Sequence, residues 1–249
     1  MSMRAGKEID RCVAFIRCHA QPSSMPGSGA GEVKLAVTIS RQTGSGAWRV
    51  AERLAEFLQE RVPPASCRWT VFDRELVERV LEDHNLPREL ARFMPEDRVS
   101  AVEDAMQEFL GLHPPFSTLV SQTTETILKL AELGGVIVIG RGANVITSGL
   151  PHVFHVRLVG SLPSRLERVR ERLGMDARSA LEFLLKADRG RRRYLRDYFR
   201  AEIEDPLVYD LVVNTDRANL DDVAEMIGQA VLQRAARGLS TAPQVSAPG

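Results

Sequence analysis

Apolar positions along this chain follow two alternating rhythms. Short continuous runs at Leu35 to Ile39, Cys67 to Phe72, Val136 to Ile139, Val153 to Val159 and Leu207 to Val213 predict five strands. Between them the apolar residues recur at helical spacing. Val50, Leu54, Phe57 and Leu58 follow the first run. Leu119, Thr123, Ile127 and Leu130 share a face of a helix from Ser117 to Leu133, and Leu220, Val223, Ile227, Val231 and Leu232 mark a last helix from Leu220 to Arg237. Strands alternating with helices predict a three-layer α/β fold with a parallel sheet. Val136 to Ile139, apolar throughout, suits its centre.

Punctuation divides the chain further. Val62-Pro63-Pro64 stops the first helix, and Asp73 sits where the second strand hands over to a helix from Arg74 to about Asp83. Residues 85–133 read as helices, more chain than a simple crossover needs, so this insertion is either a substrate-covering subdomain or a homo-oligomeric contact. Ser161-Leu162-Pro163 opens an Arg-rich helix that Gly174 closes, and Asp176 opens another running through Lys186. Residues 1–32 end in QPSSMPGSGAGE and are expected to be a poorly ordered extension around a short helix from Glu8 to Cys18; a disordered tail is expected over 238–249. The globular domain is thus placed at 33–237.

Composition removes several function classes. The 249 residues are 44% hydrophobic and 27% charged, which suits one α/β domain. The formal net charge is zero, so no global electrostatic attraction to nucleic acid is expected. No apolar run approaches membrane-spanning length, and Val13 to Ile16 is too short for a secretory core, so a cytoplasmic protein without a membrane partner is expected. Cys12, Cys18 and Cys67 form neither an even disulfide framework nor a paired metal motif. Basic charge is carried almost wholly by Arg, with Lys only at 7, 34, 129 and 186. Arg suits bidentate phosphate recognition.

Candidate chemistry collects at the carboxyl ends of the predicted strands. KLAVTISRQTGSGAWRV reads as strand, tight loop and helix, and such a loop brings free N–H groups and a helix dipole to one point. Ser40, Arg41, Gly44, Ser45, Gly46, Ala47, Trp48 and Arg49 are its candidate phosphate-binding positions; an ordinary βα turn explains the same glycines. Against G-x-x-x-x-G-K-[ST], Ala47 stands at the Lys and Trp48 at the Ser/Thr. Trp48 either packs as a core aromatic or fills part of the metal position. Asp73 is a helix cap or a ligand at the binding edge. Arg141, between Gly140 and Gly142, is placed to project into the same crevice. Asp188 is followed by five arginines between 189 and 196, read as a solvated face, a nucleic-acid patch or a polyphosphate clamp. The acids Asp197, Glu202, Glu204 and Asp205 directly after it argue against nucleic acid.

ISRQTGSGAWRVAERLA, FDREL, VIVIGRGANVI, RLERVRERLG, KADRGRRRYLRDYF and YDLVVNT, in this order, resemble the cytidylate kinase-like family over about residues 33–235. The resemblance implies a P-loop kinase-like fold with a five-stranded parallel sheet, a nucleoside monophosphate-binding insertion at 85–133 and an arginine-bearing lid region at 176–200. It implies ATP and Mg²⁺ as cofactors and nucleotides as substrates. By position, Ser40 to Trp48 would hold ATP phosphates, Arg141 the acceptor, Asp188, Arg189, Arg191 and Arg192 the lid charges, and Asp73 the acceptor nucleoside. The chain departs from the pattern at Ala47 and Trp48, and has Ile139 and Gly142 where the enzymes have Asp. Arg41 or Arg49 could replace the missing Lys charge, and Asp73, Glu75 or Asp188 could reach Mg²⁺ through water. The expected activity is phosphoryl transfer from ATP to a nucleoside monophosphate such as CMP. The alternative is nucleotide binding that regulates a partner without transfer.

Overall fold

The computed structural model describes residues 2–20, 34–62, 67–73 and 117–237. Five strands, β1 (Ala36–Arg41), β2 (Thr70–Phe72), β3 (Val136–Ile139), β4 (Val153–Val159) and β5 (Leu211–Asn214), form one sheet in the order β2-β3-β1-β4-β5, with every neighbouring pair parallel. The first strand is therefore the central one, and its carboxyl end opens between those of β3 and β4. In open α/β sheets this is the edge where ligands bind.

Helices cover both faces: α1 (Ser2–Ala20), α2 (Ala47–Arg61), α3 (Ser117–Leu133), α4 (Ala143–Ile146), α5 (Leu162–Leu173), α6 (Ala177–Phe199) and α7 (Leu220–Ala236). Strand alternation divides the core. Val37, Ile39, Ile137, Val156 and Leu158 meet α2 and α7 through Val50, Leu54, Leu58, Val223, Ile227 and Val231. Ala36, Val136, Val138 and Val153 face the other way, among Phe15 and Ile16 of α1, Ile127 and Leu130 of α3, and Leu195 and Phe199 of α6.

This second face turns polar toward the carboxyl ends of β1 and β4. Thr38 and His155 share a hydrogen bond of 2.8 Å, and Ser40 stands in register with Arg157. Buried polar groups of this kind are retained where they are paired or meet a ligand. Here the stripe leads into the cleft described below.

Several sequence expectations are revised. Ser2–Ala20 is a helix, longer than Glu8 to Cys18, and Cys12, Phe15 and Ile16 are buried in the core, so this part of the extension is packed. Phe15 meets Phe72 edge to face at 5.6 Å, and Cys18 is disulfide-bonded to Cys67 with Cα atoms 5.8 Å apart. The bridge that the cysteine pattern did not predict depends on α1 folding back onto the β2 edge. The predicted break after Lys186 does not occur: α6 runs unbroken from Ala177 to Phe199, capped by Asp176, whose carboxylate accepts the N–H groups of Arg178 and Ser179. Gly190 is tolerated because a helical glycine costs only about 1 kcal/mol. β5 starts at Leu211, after a 3₁₀ turn at Pro206–Val208. The expected helix after Asp73, most of the 85–133 insertion, the 21–32 linker and the 238–249 tail lie outside the described residues.

Candidate phosphate-loop site

The loop between β1 and α2 is held tightly by its neighbours. Gln42 N–H donates to Leu158 O at 3.0 Å, extending the sheet by one residue, and Ser45 N–H donates back to Gln42 O at 3.2 Å. Gly44 has φ +81°, and a Cβ there would lie 2.4 Å from the carbonyl oxygen of Arg165. Only glycine fits beneath the start of α5 in this conformation. Val50 N–H donates to Gly46 O and closes the first turn of α2, so the N–H groups before it have no intrahelical acceptor. That first turn carries no acidic residue, leaving the positive end of the helix dipole open to an anion. Ser45 is 1% exposed and its Oγ has no hydrogen-bond partner among the described residues.

Arginines of α5 and α6 converge on this loop around a single carboxylate. Asp188 Oδ1 accepts Thr43 N–H at 2.8 Å, the Thr43 hydroxyl at 2.6 Å and Arg191 Nη1 at 2.9 Å. Asp188 Oδ2 accepts Arg165 Nη1 at 2.7 Å, and the same guanidinium donates to Thr43 O and Gly160 O. Arg168 donates to Thr215 Oγ1 at 3.1 Å and to Thr215 O at 2.8 Å, tying α5 to the end of β5. Helix α6 is thereby docked on the loop through charge-assisted bonds, the stronger kind.

Two cavities adjoin this cluster and share Arg41, Arg191 and Ile203 in their walls. The smaller, about 170 Å³, is lined by Gln42, Arg157, Arg165, Asp188, Arg189, Arg192 and Glu204 in addition. The larger, about 530 Å³, is lined by Ser40, Arg141, Asn144, Phe183, Lys186 and Tyr194 among others. Arg141 has φ +55°, uncommon outside glycine, and its guanidinium lies 5.8 Å from the Tyr194 ring centroid. Asn144 is 4% exposed and its Nδ2 has no hydrogen-bond partner among the described residues. A Cβ on Gly140 would lie 1.7 Å from Arg41 Nη1, so Arg41 spans the gap over the end of β3.

A model of the cytidylate kinase-like family matches residues 36–217. The chain belongs to the cytidylate kinase-like family. Cytidylate kinase of Methanocaldococcus jannaschii is 20% identical over 158 residues, which cover 63% of this chain and 89% of that protein. Cytidylate kinase of Pyrococcus horikoshii is 24% identical over 201 residues, 80% of this chain and 88% of that protein. A crystal structure of an uncharacterized protein from Eubacterium ventriosum shares the fold, with a TM-score of 0.63 at 23% identity, covering 80% of this chain and 99% of the other.

Within this cytidylate kinase-like fold the candidates separate. Ser40, Arg41, Arg141, Asp188, Arg189, Arg191 and Arg192 all line one or both cavities. Arg192 is turned to Glu204 at 2.5 Å, a hydrogen bond that raises its pKa further, and Arg189 Nε donates to Leu185 O. Arg49 lies elsewhere. It pairs with Asp221 at 2.8 Å on the surface, and that bond holds the Asp221 carboxyl below its ordinary range. Arg49 is therefore removed as a substitute for the loop Lys. Trp48 packs against the α2 and α7 core and Ala47 is buried, so the tryptophan is a packing residue. Asp73 follows β2 at the carboxyl edge but lines neither cavity, and Glu75 lies outside the described residues. Arg157, Asn144, Tyr194 and Tyr209 also surround this site and were not singled out, and Thr43 was covered only by the range Ser40 to Trp48. For Arg157 a signal existed: a cation in the apolar run VFHVRLV, on the same face as His155.

The loop and its arginines fit the phosphates of a nucleotide. No cluster of three or more His, Cys, Asp or Glu able to hold a metal occurs among the described residues. Asp188, the carboxylate at the loop, is already engaged by Arg165 and Arg191. A Mg²⁺ ion usually keeps several waters and takes phosphate oxygens as ligands, so it would arrive with the nucleotide.

Proposed function

We propose that this protein is a nucleotide kinase that transfers the terminal phosphoryl group of ATP to a nucleoside monophosphate such as CMP. The observation that carries the reading is the pair of cavities meeting at Arg41 and Arg191 beside the loop. One has the size and charge for phosphoryl groups, and the other falls in the size range of small-molecule sites, with aromatic walls and a few polar groups. Triphosphate oxygens bind the loop N–H groups and the arginines of the small cavity. Arg141 holds the acceptor phosphate in the large one, beside the Tyr194 ring. An acceptor phosphate oxygen attacks the γ-phosphorus, the bond to the bridging oxygen breaks, and ADP leaves with the negative charge. Such transfer depends on positioning and on positive charge around the migrating group, which the converging arginines supply. Mg²⁺ adds charge neutralisation when bound with the nucleotide.

Ala47 and the packed Trp48 favour a second reading, nucleotide binding without transfer. The two are separated by acceptor-dependent ADP release across a panel of nucleoside monophosphates. In the kinase, Arg141→Ala raises the KM for the acceptor at least tenfold and leaves the affinity for ATP within twofold. ADP release that no acceptor stimulates contradicts the kinase reading.

A further inference from the structure

Arg157 is a buried cation with no carboxylate partner among the described residues. It is 4% exposed, on β4 beside the central strand, with Ser40 as its register partner. Its Nη1 donates to Ser40 Oγ at 3.0 Å. The phenol of Tyr209 lies 3.1 Å from Ser40 Oγ and 2.9 Å from Ile203 O. A carbonyl can only accept, so the phenol hydrogen goes to Ile203 and the Ser40 hydroxyl donates to Tyr209 Oη. Ser40 thus accepts from Arg157 and donates to Tyr209, and neither contact brings a negative charge to the guanidinium. The Tyr209 ring faces the guanidinium at 5.7 Å, the other contact Arg157 makes among the described residues.

Other buried cations are treated differently by this fold. Arg165, 7% exposed, meets Asp188, and Lys129 pairs with Glu125. Arg157 has no such partner among the described residues, and Glu204, across the same cavity, is taken by Arg192. A guanidinium has five N–H donors, and desolvating its charge without an anion is among the most costly arrangements a core can hold. It lines the 170 Å³ cavity at the loop, which is smaller than sites for whole drug-sized ligands. The anion that completes it must be compact and multiply charged.

We propose that Arg157 is the residue that binds the terminal phosphate of the nucleotide, from the strand side of the cavity, and so supplies the charge absent from the loop at Ala47. The assignment rests on the nucleotide-binding reading above and adds a residue to it. A lysine in the loop reaches the phosphates from the helix start; Arg157 reaches them from β4, held in place by Ser40 and Tyr209. Tyr209 and Ser40 are positioning residues on this view.

Calorimetry with ATP, inorganic tripolyphosphate and adenosine on the full chain tests the assignment, with thermal melting to verify each variant's fold. Arg157→Met is expected to weaken ATP and tripolyphosphate at least thirtyfold and to leave adenosine within twofold. Arg157→Lys recovers part of the loss, and Tyr209→Phe, which keeps the charge but frees Ser40, weakens tripolyphosphate by less than Arg157→Met does and leaves adenosine within twofold. Arg157→Met binding ATP like the wild type overturns the assignment while leaving the nucleotide reading intact. Wild-type binding of tripolyphosphate without ATP keeps the anion site and ends the nucleotide reading; binding of neither ends both. Should Arg157→Met not fold, the wild-type chain suffices. With ¹⁵N-labelled arginine, the Arg157 Nε–H resonance moves on saturation with tripolyphosphate, and a stationary resonance overturns the proposal.

Discussion

Asp188 of α6 bridges the loop and α5: one oxygen takes Thr43 and Arg191, the other Arg165. The sequence singled out Asp188, Arg191 and Arg141, which line the two cavities, because charged residues beside glycines or in dense runs stand out. Thr43 fell inside the loop range Ser40 to Trp48 without being singled out, because a threonine between Gln42 and Gly44 carries no distinguishing pattern. Arg157 lay hidden in a strand whose other residues are mostly apolar. His155, two residues earlier on the same face, has a consequence for stability. Burial pushes its pKa down to about 4; the Asp210 carboxylate opposes this fall and Arg234 adds to it. The folded chain therefore holds a neutral imidazole, whereas the unfolded chain titrates near the ordinary 6.5. The contribution is full above the unfolded value and is lost progressively as pH falls toward 4. Between pH 7 and pH 5 the wild type should lose about 2 kcal/mol in urea unfolding from this group alone. His155→Asn should remove that part of the slope; an unchanged slope in the variant contradicts the assignment.

Elements were legible where their apolar period was uninterrupted. Val136–Ile139 and Ser117–Leu133 are found where they were expected. The end of α6 was not, because glycine and charge density resemble a loop signal while Leu184, Leu195 and Phe199 anchor the helix on the core. Packing between elements was invisible in sequence, as the contact of α2 with α7 illustrates. Gly228 sits against the Phe57 ring, and a Cβ there would lie 2.3 Å from Phe57 Cδ1. Overfilling a packed contact costs about 1–3 kcal/mol. Gly228→Ala should therefore destabilise the chain by that amount in urea unfolding, although alanine favours helix by itself. A neutral or stabilising effect contradicts the close approach of these helices.

At the scale of the molecule, the α/β class followed from alternation, but the strand order did not. Alternation alone is silent on β1 lying between β3 and β4, and it is that placement which brings Arg41, Arg141 and Arg157 to one cleft. The disulfide between α1 and β2 was likewise unreadable from cysteine spacing, since Cys18 and Cys67 are 49 residues apart and meet only when the sheet edge exists. The central claim is that this cleft moves a phosphoryl group between two nucleotides. Phosphorus NMR of the purified chain with ATP, Mg²⁺ and nucleoside monophosphates tests it most directly, because transfer, hydrolysis and simple binding give different spectra. The account predicts that the ATP γ resonance declines as the β resonance of a new nucleoside diphosphate grows, with no matching rise in inorganic phosphate. Nucleotide resonances that broaden on binding while every phosphorus stays where it began would contradict it.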